Sequence, residues 1–253
     1  MTGPSPGIVG ARIADDPSCL VLWWESPRPL RFAATSAVGG GLAEGTWFVN
    51  LTVPADYART DPADHLAEVA NRVGLRGPGV GMLTAADVRR HVHRIDGGVE
   101  VLATVGLGWP TWAADLAPAA APGIGTVNLF VLVPARVGDA ALVNLVATVT
   151  EAKVQALHDL GVDGTGTASD AVAVACWAPV DGDDRIVDPF GGPRSLWGAR
   201  AARAVYAAVW EGALDDERAA VAAGYHRAPR RPGRLSPGAT GGLSVPGAQR
   251  TGR

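Results

Sequence analysis

The stretch VRRHVHRIDGGVEVLATVGL, residues 88–107, restricts this chain more than any other. Two strand-length apolar runs flank Asp96, Gly97 and Gly98, residues that suit the positive φ angles of a tight turn, so the segment reads as a β-hairpin. CLVLWW (19–24) and LRFAATSAV (30–38), joined by ESPRP, read as a second hairpin. In TWFVNLTV (46–53), Trp47, Val49, Leu51 and Val53 share one face, and Phe48, Asn50 and Thr52 the other. VGMLTAA (80–86), TVNLFVLV (126–133) and DAVAVACW (170–177) supply further strands. Between them lie three helical patterns. DPADHLAEVANRVG has Asp61 as cap, Pro62 in the first turn and Gly74 as stop. Residues 139–160 form the longest helix, and SLWGARAARAVYAAVWEG (195–212) the last. Hairpins interspersed with helices predict an α+β fold: a mixed, largely antiparallel sheet built from hairpins, with helices packed on it.

Residues 1–16 and 229–253 are rich in Gly, Pro, Ser and Arg and poor in large apolar side chains. Such segments bury too little surface to offset their ordering entropy, so they are expected as flexible tails around a single domain spanning 17–215. A net charge of −3 gives no electrostatic footprint for nucleic acid. No apolar run reaches the roughly 18 residues of a membrane span, and no signal-peptide pattern opens the chain, which predicts a soluble, cytoplasmic protein. Cys19 and Cys176 sit in apolar runs as inert buried thiols. His91 and His93 share a strand face, but no third ligand is in view and no metal is expected.

Lys153 is the only lysine; the other 21 basic residues are arginine. On the 139–160 helix, Leu142, Leu145, Val146, Val149, Ala156, Leu157 and Leu160 follow the 3-and-4 spacing of a buried stripe, and Lys153 continues it between Val149 and Leu157. Such a lysine must snorkel, pair, or lose its proton. Either its stem lies along the core with the ammonium bonded to a carboxylate or carbonyls, or it is a desolvated amine in a site, a role arginine cannot take. Glu151 projects from the opposite face with Asn144, Thr148, Gln155 and His158, so the two charges of Glu-Ala-Lys do not pair with each other.

GTGTASD (164–170) approximates a dinucleotide fingerprint, but in the order helix, glycines, strand rather than strand, glycines, helix, which excludes a Rossmann site. What remains is a row of backbone N–H groups, the hydroxyls of Thr165, Thr167 and Ser169, and Asp170 where the strand begins. That set suits oxyanion donors, a nucleophile and an orienting acid, or a plain helix-to-strand loop. Gly39, Gly40 and Gly41 either let a backbone approach a ligand or make a turn. Trp109 and Trp112 either pave a site for a large flat ligand or pack in the core.

SAVGGGL (36–42), VNLTVPADY (49–57), VGMLTAADVRR (80–90), ATVGL (103–107), GTVNLFVLV (125–133), TEAKVQAL (150–157), GTGTASDAVAVA (164–175) and FGGPRSLWGARAARAVYAAV (190–209) occur in the order found in the adenosylcobinamide amidohydrolase family, which this chain resembles over roughly residues 34–212. Where the family commonly has Ser-Asn and then Ala-Gly-Asp, this chain has Gly108, Trp109 and Ala113-Ala114-Asp115. Its YAG stands here as Phe190-Gly191-Gly192, and the following Thr as Ser195.

The resemblance implies hydrolysis of the amide joining the corrin propionyl side chain to aminopropanol, with the corrinoid as substrate rather than cofactor, and a place in corrinoid salvage. On that reading the catalytic candidates are Lys153 as base or acid, Asp170 as its holder or the orienter of water, Thr165 or Thr167 as nucleophile or oxyanion donor, and Glu151 at the margin. Gly39, Gly40, Gly41, Asn50, Thr84, Thr104, Trp109 and Asn128 are the substrate-binding candidates. A corrinoid- or tetrapyrrole-binding protein without catalysis, or an amidase for another bulky amide, are the alternatives. A homo-oligomer stays open.

Overall fold

The computed structural model describes residues 7–8, 11–16, 19–114, 124–179 and 187–225. The tail expected at 229–253, residues 1–6 and 9–10 of that expected at 1–16, and Asp115 lie outside the described residues, as does the side chain of Cys19. Among the described residues, eight strands form one mixed sheet: β1 (Arg12–Asp16), β2 (Cys19–Ala34), β3 (Gly41–Thr52), β4 (Gly79–Thr84), β5 (Val92–Asp96), β6 (Val99–Gly106), β7 (Thr126–Val133) and β8 (Ala171–Trp177). The order is β4-β3-β2-β8-β7-β6-β5, with β1 beside the first half of β2. Only β3–β4 and β7–β8 run parallel. The helices are α1 (Pro62–Arg72), α2 (Asp139–Asp159) and α3 (Leu196–Ala222). The fold is α+β with a mixed, largely antiparallel sheet, as the hairpin-and-helix pattern predicts.

Each strand's two faces go to different cores. Val127, Leu129, Val131 and Val133 of β7 join the core under α2 and α3, while Phe130 and Leu132 point the other way. Both faces are covered, which is why β7 reads as a nearly continuous apolar run, interrupted at Asn128. Trp47, Val49 and Leu51 of β3 pack beneath α1. Phe48, on the opposite face, stacks on Phe130 at 4.3 Å between ring centroids. Strands β2 and β8 separate β3 from β7 in the sheet, so this contact requires the sheet to curl until its concave face meets itself. Trp24, Leu30, Phe32, Met82 and Leu102 fill the rest of the concave interior. Truncating Phe48 or Phe130 to alanine would cost about 3–5 kcal/mol.

Three expectations need correction. Residues 19–38 are not a hairpin: β2 is one strand of 16 residues. The ESPRP segment is a bulge, across which pairing with β3 passes from Glu25–Trp47 to Leu30–Gly45. Pro27 and Pro29 have no N–H to give a ladder, so a bulge accommodates them where a regular strand would not. Before the bulge the free edge of β2 takes β1; after it, that edge takes β8. Second, Arg12–Asp16 is a strand paired with β2, and Ile8 is buried in the concave core, so ordered structure begins before residue 17. Third, α3 has 27 residues against 21 for α2 and runs past 215 to Ala222, so it is the longest helix. Gly97 and Gly98 have positive φ, as the β5–β6 turn demands.

Two polar details bear on stability. Burial pushes the Cys176 thiol up, which keeps it inert. His65 lies on the buried face of α1, with Nδ1 3.0 Å from the Tyr57 hydroxyl. Burial, with the Arg59 guanidinium nearby, holds this imidazole below its ordinary 6.5. The native state therefore binds fewer protons than the unfolded chain just below pH 6.5, so this contribution is full above that value and is lost as pH falls through the folded value. The melting temperature is expected to decline on acidification from pH 6.5 more steeply in wild type than in His65→Gln; parallel profiles would contradict this.

Candidate functional site

The α2 stripe carries Lys153 inward between Val149 and Leu157, both fully buried. Its Nζ reaches Asp170 Oδ2 at 2.5 Å, and the two side chains are 8% and 11% exposed. The lysine therefore pairs rather than snorkels. Asp170 stands one residue before β8 and accepts from four donors. Oδ1 takes the Val127 N–H at 2.8 Å and the Thr167 hydroxyl at 2.5 Å; Oδ2 takes the Thr167 N–H at 3.1 Å and the Lys153 ammonium. Among the described residues, Asp170 is the one hydrogen-bond partner of Lys153, so the ammonium keeps further N–H vectors for a ligand. Gly166 gives the pair its space: a Cβ there would lie 2.6 Å from Lys153 Nζ and closer still to Asp170 Oδ2.

The glycine–threonine loop is sewn to the tryptophan segment. Thr111 N–H donates to Gly166 O at 2.8 Å, and Thr165 N–H to Thr111 O at 2.9 Å. The Thr165 hydroxyl accepts from Ala113 N–H at 3.0 Å, and Trp112 Nε1 donates to Asp163 at 3.3 Å. Thr165 therefore works as a clip between the loops, whereas Thr167 contacts the ion pair directly. The Thr167 hydroxyl also lies 2.7 Å from Gly125 O, and Ser169 Oγ lies 2.9 Å from Thr126 Oγ1. Trp109 and Trp112 are 39% and 44% exposed, so they face outward from the clip rather than into the core.

Asn50, Thr104 and Asn128 meet on the concave face. Asn50 Nδ2 donates to Thr104 Oγ1 at 2.9 Å, and Asn128 Nδ2 to Asn50 Oδ1 at 3.0 Å and to Leu83 O at 2.7 Å. Asn128 Oδ1 accepts the Ala171 N–H at 3.1 Å, next to Asp170. Thr84 is buried as well and accepts from Ala86 N–H. The layer braces the strand that presents Asp170, and its polar groups are engaged with one another. Glu151 is exposed on the outer face of α2, away from Lys153. Thr148, expected beside it, is buried because Gly191 O accepts its hydroxyl at 3.0 Å. Gly39 and Gly40 press against the backbone of Gly79 and Ser36, and Gly39 and Gly41 have positive φ, which satisfies the crossing from β2 to β3. His93 bonds to Glu100 at 2.9 Å and His91 to Val88 O, so the two histidines do not act as a pair.

Sequence reasoning took Gly166 only as part of a row of backbone donors, and missed its contact with the ion pair together with Thr111, the Val127 N–H and Gly125. Each matters through a neighbour more than a dozen residues away, and no local pattern marks it. It also missed a hollow of about 230 Å³ beside Gly125, walled by Gly106, Gly108, Asp87, Arg90 and Asp216.

The family model described as adenosylcobinamide amidohydrolase matches residues 9–220. A Methanosarcina mazei protein named adenosylcobinamide amidohydrolase is 29% identical over 143 residues, covering 56% of this chain and 68% of that protein. A Halobacterium salinarum protein of the same name is 34% identical over 146 residues, covering 54% of this chain and 62% of its own length, which is less than two thirds. The crystal structure of the PH0078 protein from Pyrococcus horikoshii OT3 is 12% identical over 78% of each chain at a TM-score of 0.41, too weak a likeness to carry an argument. The family match runs from before β1 into the last turn of α3 and encloses the Lys153–Asp170 pair together with its loop, so this chain belongs to the adenosylcobinamide amidohydrolase family.

Proposed function

We propose that the protein hydrolyses the amide between the corrin propionyl group and aminopropanol in adenosylcobinamide, releasing adenosylcobyric acid and 1-amino-2-propanol in corrinoid salvage. The observation that carries this reading is the buried Lys153–Asp170 pair, closed on the Thr167 hydroxyl and lying under a loop with two exposed indoles. An amide resists hydrolysis chiefly because its nitrogen is a poor leaving group until it is protonated. Lys153 supplies that proton, and Asp170, fixed by three further donors, holds the ammonium in place. The C–N bond breaks, the acyl carbon keeps the hydroxyl of water, and the remaining proton of water restores Lys153. In the 164–167 loop the N–H groups of Gly164, Thr165 and Thr167 donate to Val162 O, Thr111 O and Asp170, which leaves the Gly166 N–H as the loop donor for the oxyanion. Trp109 and Trp112 offer flat apolar area to a corrin ring.

Incubation with adenosylcobinamide, followed by chromatography, is expected to yield adenosylcobyric acid and 1-amino-2-propanol in equal amounts. Retention of the unaltered coloured corrinoid would mark a binding protein, and neither retention nor turnover would mark an amidase for another amide. Trp109→Ala is expected to raise KM about tenfold, the equivalent of one lost aromatic contact, with little change in melting temperature. A collapsed melting temperature with unchanged KM would remove Trp109 from the binding surface.

A further inference from the structure

The backbone that follows Asp170 is held from both sides by side chains. Ala171 N–H donates to Asn128 Oδ1 of β7 at 3.1 Å. Val172 N–H donates to the hydroxyl of Thr35, one residue past the end of β2, at 3.0 Å. The carboxylate's own bonds fix it less firmly than their number suggests. Two of its four donors, the N–H and hydroxyl of Thr167, belong to the same loop and travel with it. Among the described residues, the donors that reach it from outside that loop are Val127 N–H and the Lys153 ammonium. Where Asp170 stands relative to α2 therefore depends on the two side chains that grip the residues after it.

Asn128 is itself set by the curl of the sheet. It is 1% exposed, and both Nδ2 hydrogens are committed, to Asn50 Oδ1 on β3 at 3.0 Å and to Leu83 O on β4 at 2.7 Å. A carbonyl oxygen can only accept, so these bonds lock the amide with Oδ1 toward Ala171. No Nδ2 hydrogen is left for a substrate amide, the use its residue type suggested. Thr35 is different, because it is exposed and its own N–H also donates to Val172 O at 2.9 Å. Its hydroxyl therefore adds a second bond to one residue of β8. We infer that Asn128 and Thr35 are positioning residues, which clasp the start of β8 and thereby hold Asp170 against Lys153. The inference rests on Lys153 acting in amide hydrolysis, where displacing a positioned group by about 1 Å can cost about 100-fold.

Because Lys153 is the only lysine, isotope-labelled lysine gives a single side-chain ammonium signal by NMR. Its hydrogens exchange slowly with water while the pair is closed, and each opening speeds them. Thr35→Val keeps the shape of the side chain and removes the hydroxyl, while Thr35→Ser keeps the hydroxyl. Asn128→Leu removes the other clasp. At one pH throughout, Thr35→Val is expected to lower kcat on adenosylcobinamide about tenfold, with KM within about twofold of wild type. The same variant should speed ammonium exchange by about the same tenfold, and Thr35→Ser should stay near wild type in both. Asn128→Leu should show larger changes of the same kind; if it does not fold, Thr35→Val carries the decision alone. Placed on Lys153→Met, Thr35→Val should slow turnover no further, since its effect runs through that ammonium. Unchanged ammonium exchange in Thr35→Val, a wild-type kcat, or losses that multiply with Lys153→Met would overturn the inference. Faster exchange in Thr35→Val, in a protein whose wild type leaves adenosylcobinamide intact, would strike the amidase reading and still support the clasp on Asp170.

Discussion

Replacing Lys153 by methionine is expected to lower turnover of adenosylcobinamide by at least about 100-fold, the lower range for losing a positioned acid. Methionine fills nearly the same volume on the stripe between Val149 and Leu157, so the test addresses chemistry rather than packing. Asp170 does not become an orphan, because Val127 N–H and both donors of Thr167 remain. Stability should therefore fall by only about 1–3 kcal/mol, less than the roughly 3–5 kcal/mol of a buried pair broken with nothing left to satisfy the survivor. Lys153→Arg should fail nearly as badly. A guanidinium stays protonated, and its planar fork is broader than an ammonium in a space where even a Cβ on Gly166 would sit 2.6 Å from Nζ. Turnover per folded molecule, measured with the melting temperature, decides the matter. A Met variant within a few-fold of wild type, or an unfolded Met variant beside an active Arg one, would make Lys153 a structural cation.

Much of the pair was legible before any coordinates. The i, i+4 spacing of Val149, Lys153 and Leu157 placed the lysine on the buried stripe, and that stripe is buried as predicted except at Val146, which is only partly covered. Asp170 was marked by its position between a polar loop and an apolar strand. The alternation in β3 put Asn50 and Phe48 on one face, and the structure has both there. What the pattern could not give was the partner across the sheet. Asn50 meets Thr104 and Asn128 because the sheet curls, and curl is set by the twist of all its strands rather than by any one stretch. The same limit explains β2. Pro27 and Pro29 carry a local signal shared by turns and bulges, and only the continued pairing with β3 separates the two. Gly125 and Gly166 likewise looked like ordinary loop glycines, since the atoms that require them belong to residues distant in sequence or folded back on them.

Gly166→Ala is expected to reproduce the loss of Lys153 without touching it. Gly166 does not have positive φ, so its backbone tolerates alanine and the effect must come from space alone. The new methyl would press on both atoms of the pair at once, 2.6 Å from Lys153 Nζ and closer still to Asp170 Oδ2, which are themselves only 2.5 Å apart. One of the two must move. Asp170 is short and held by three other donors, while Lys153 ends a flexible stem with a single partner, so the lysine withdraws and the pair opens. Turnover should fall about 100-fold, as for Lys153→Met, with a stability cost of about 1–3 kcal/mol from overpacking. The decisive measurement is the double variant. If both substitutions act through the same ammonium, Lys153→Met with Gly166→Ala should be no slower than Lys153→Met alone, because residues acting as a unit are non-additive. Losses that multiply, or a Gly166→Ala protein with near-wild-type turnover, would show that the close contact of Lys153 with Asp170 is not what the reaction uses.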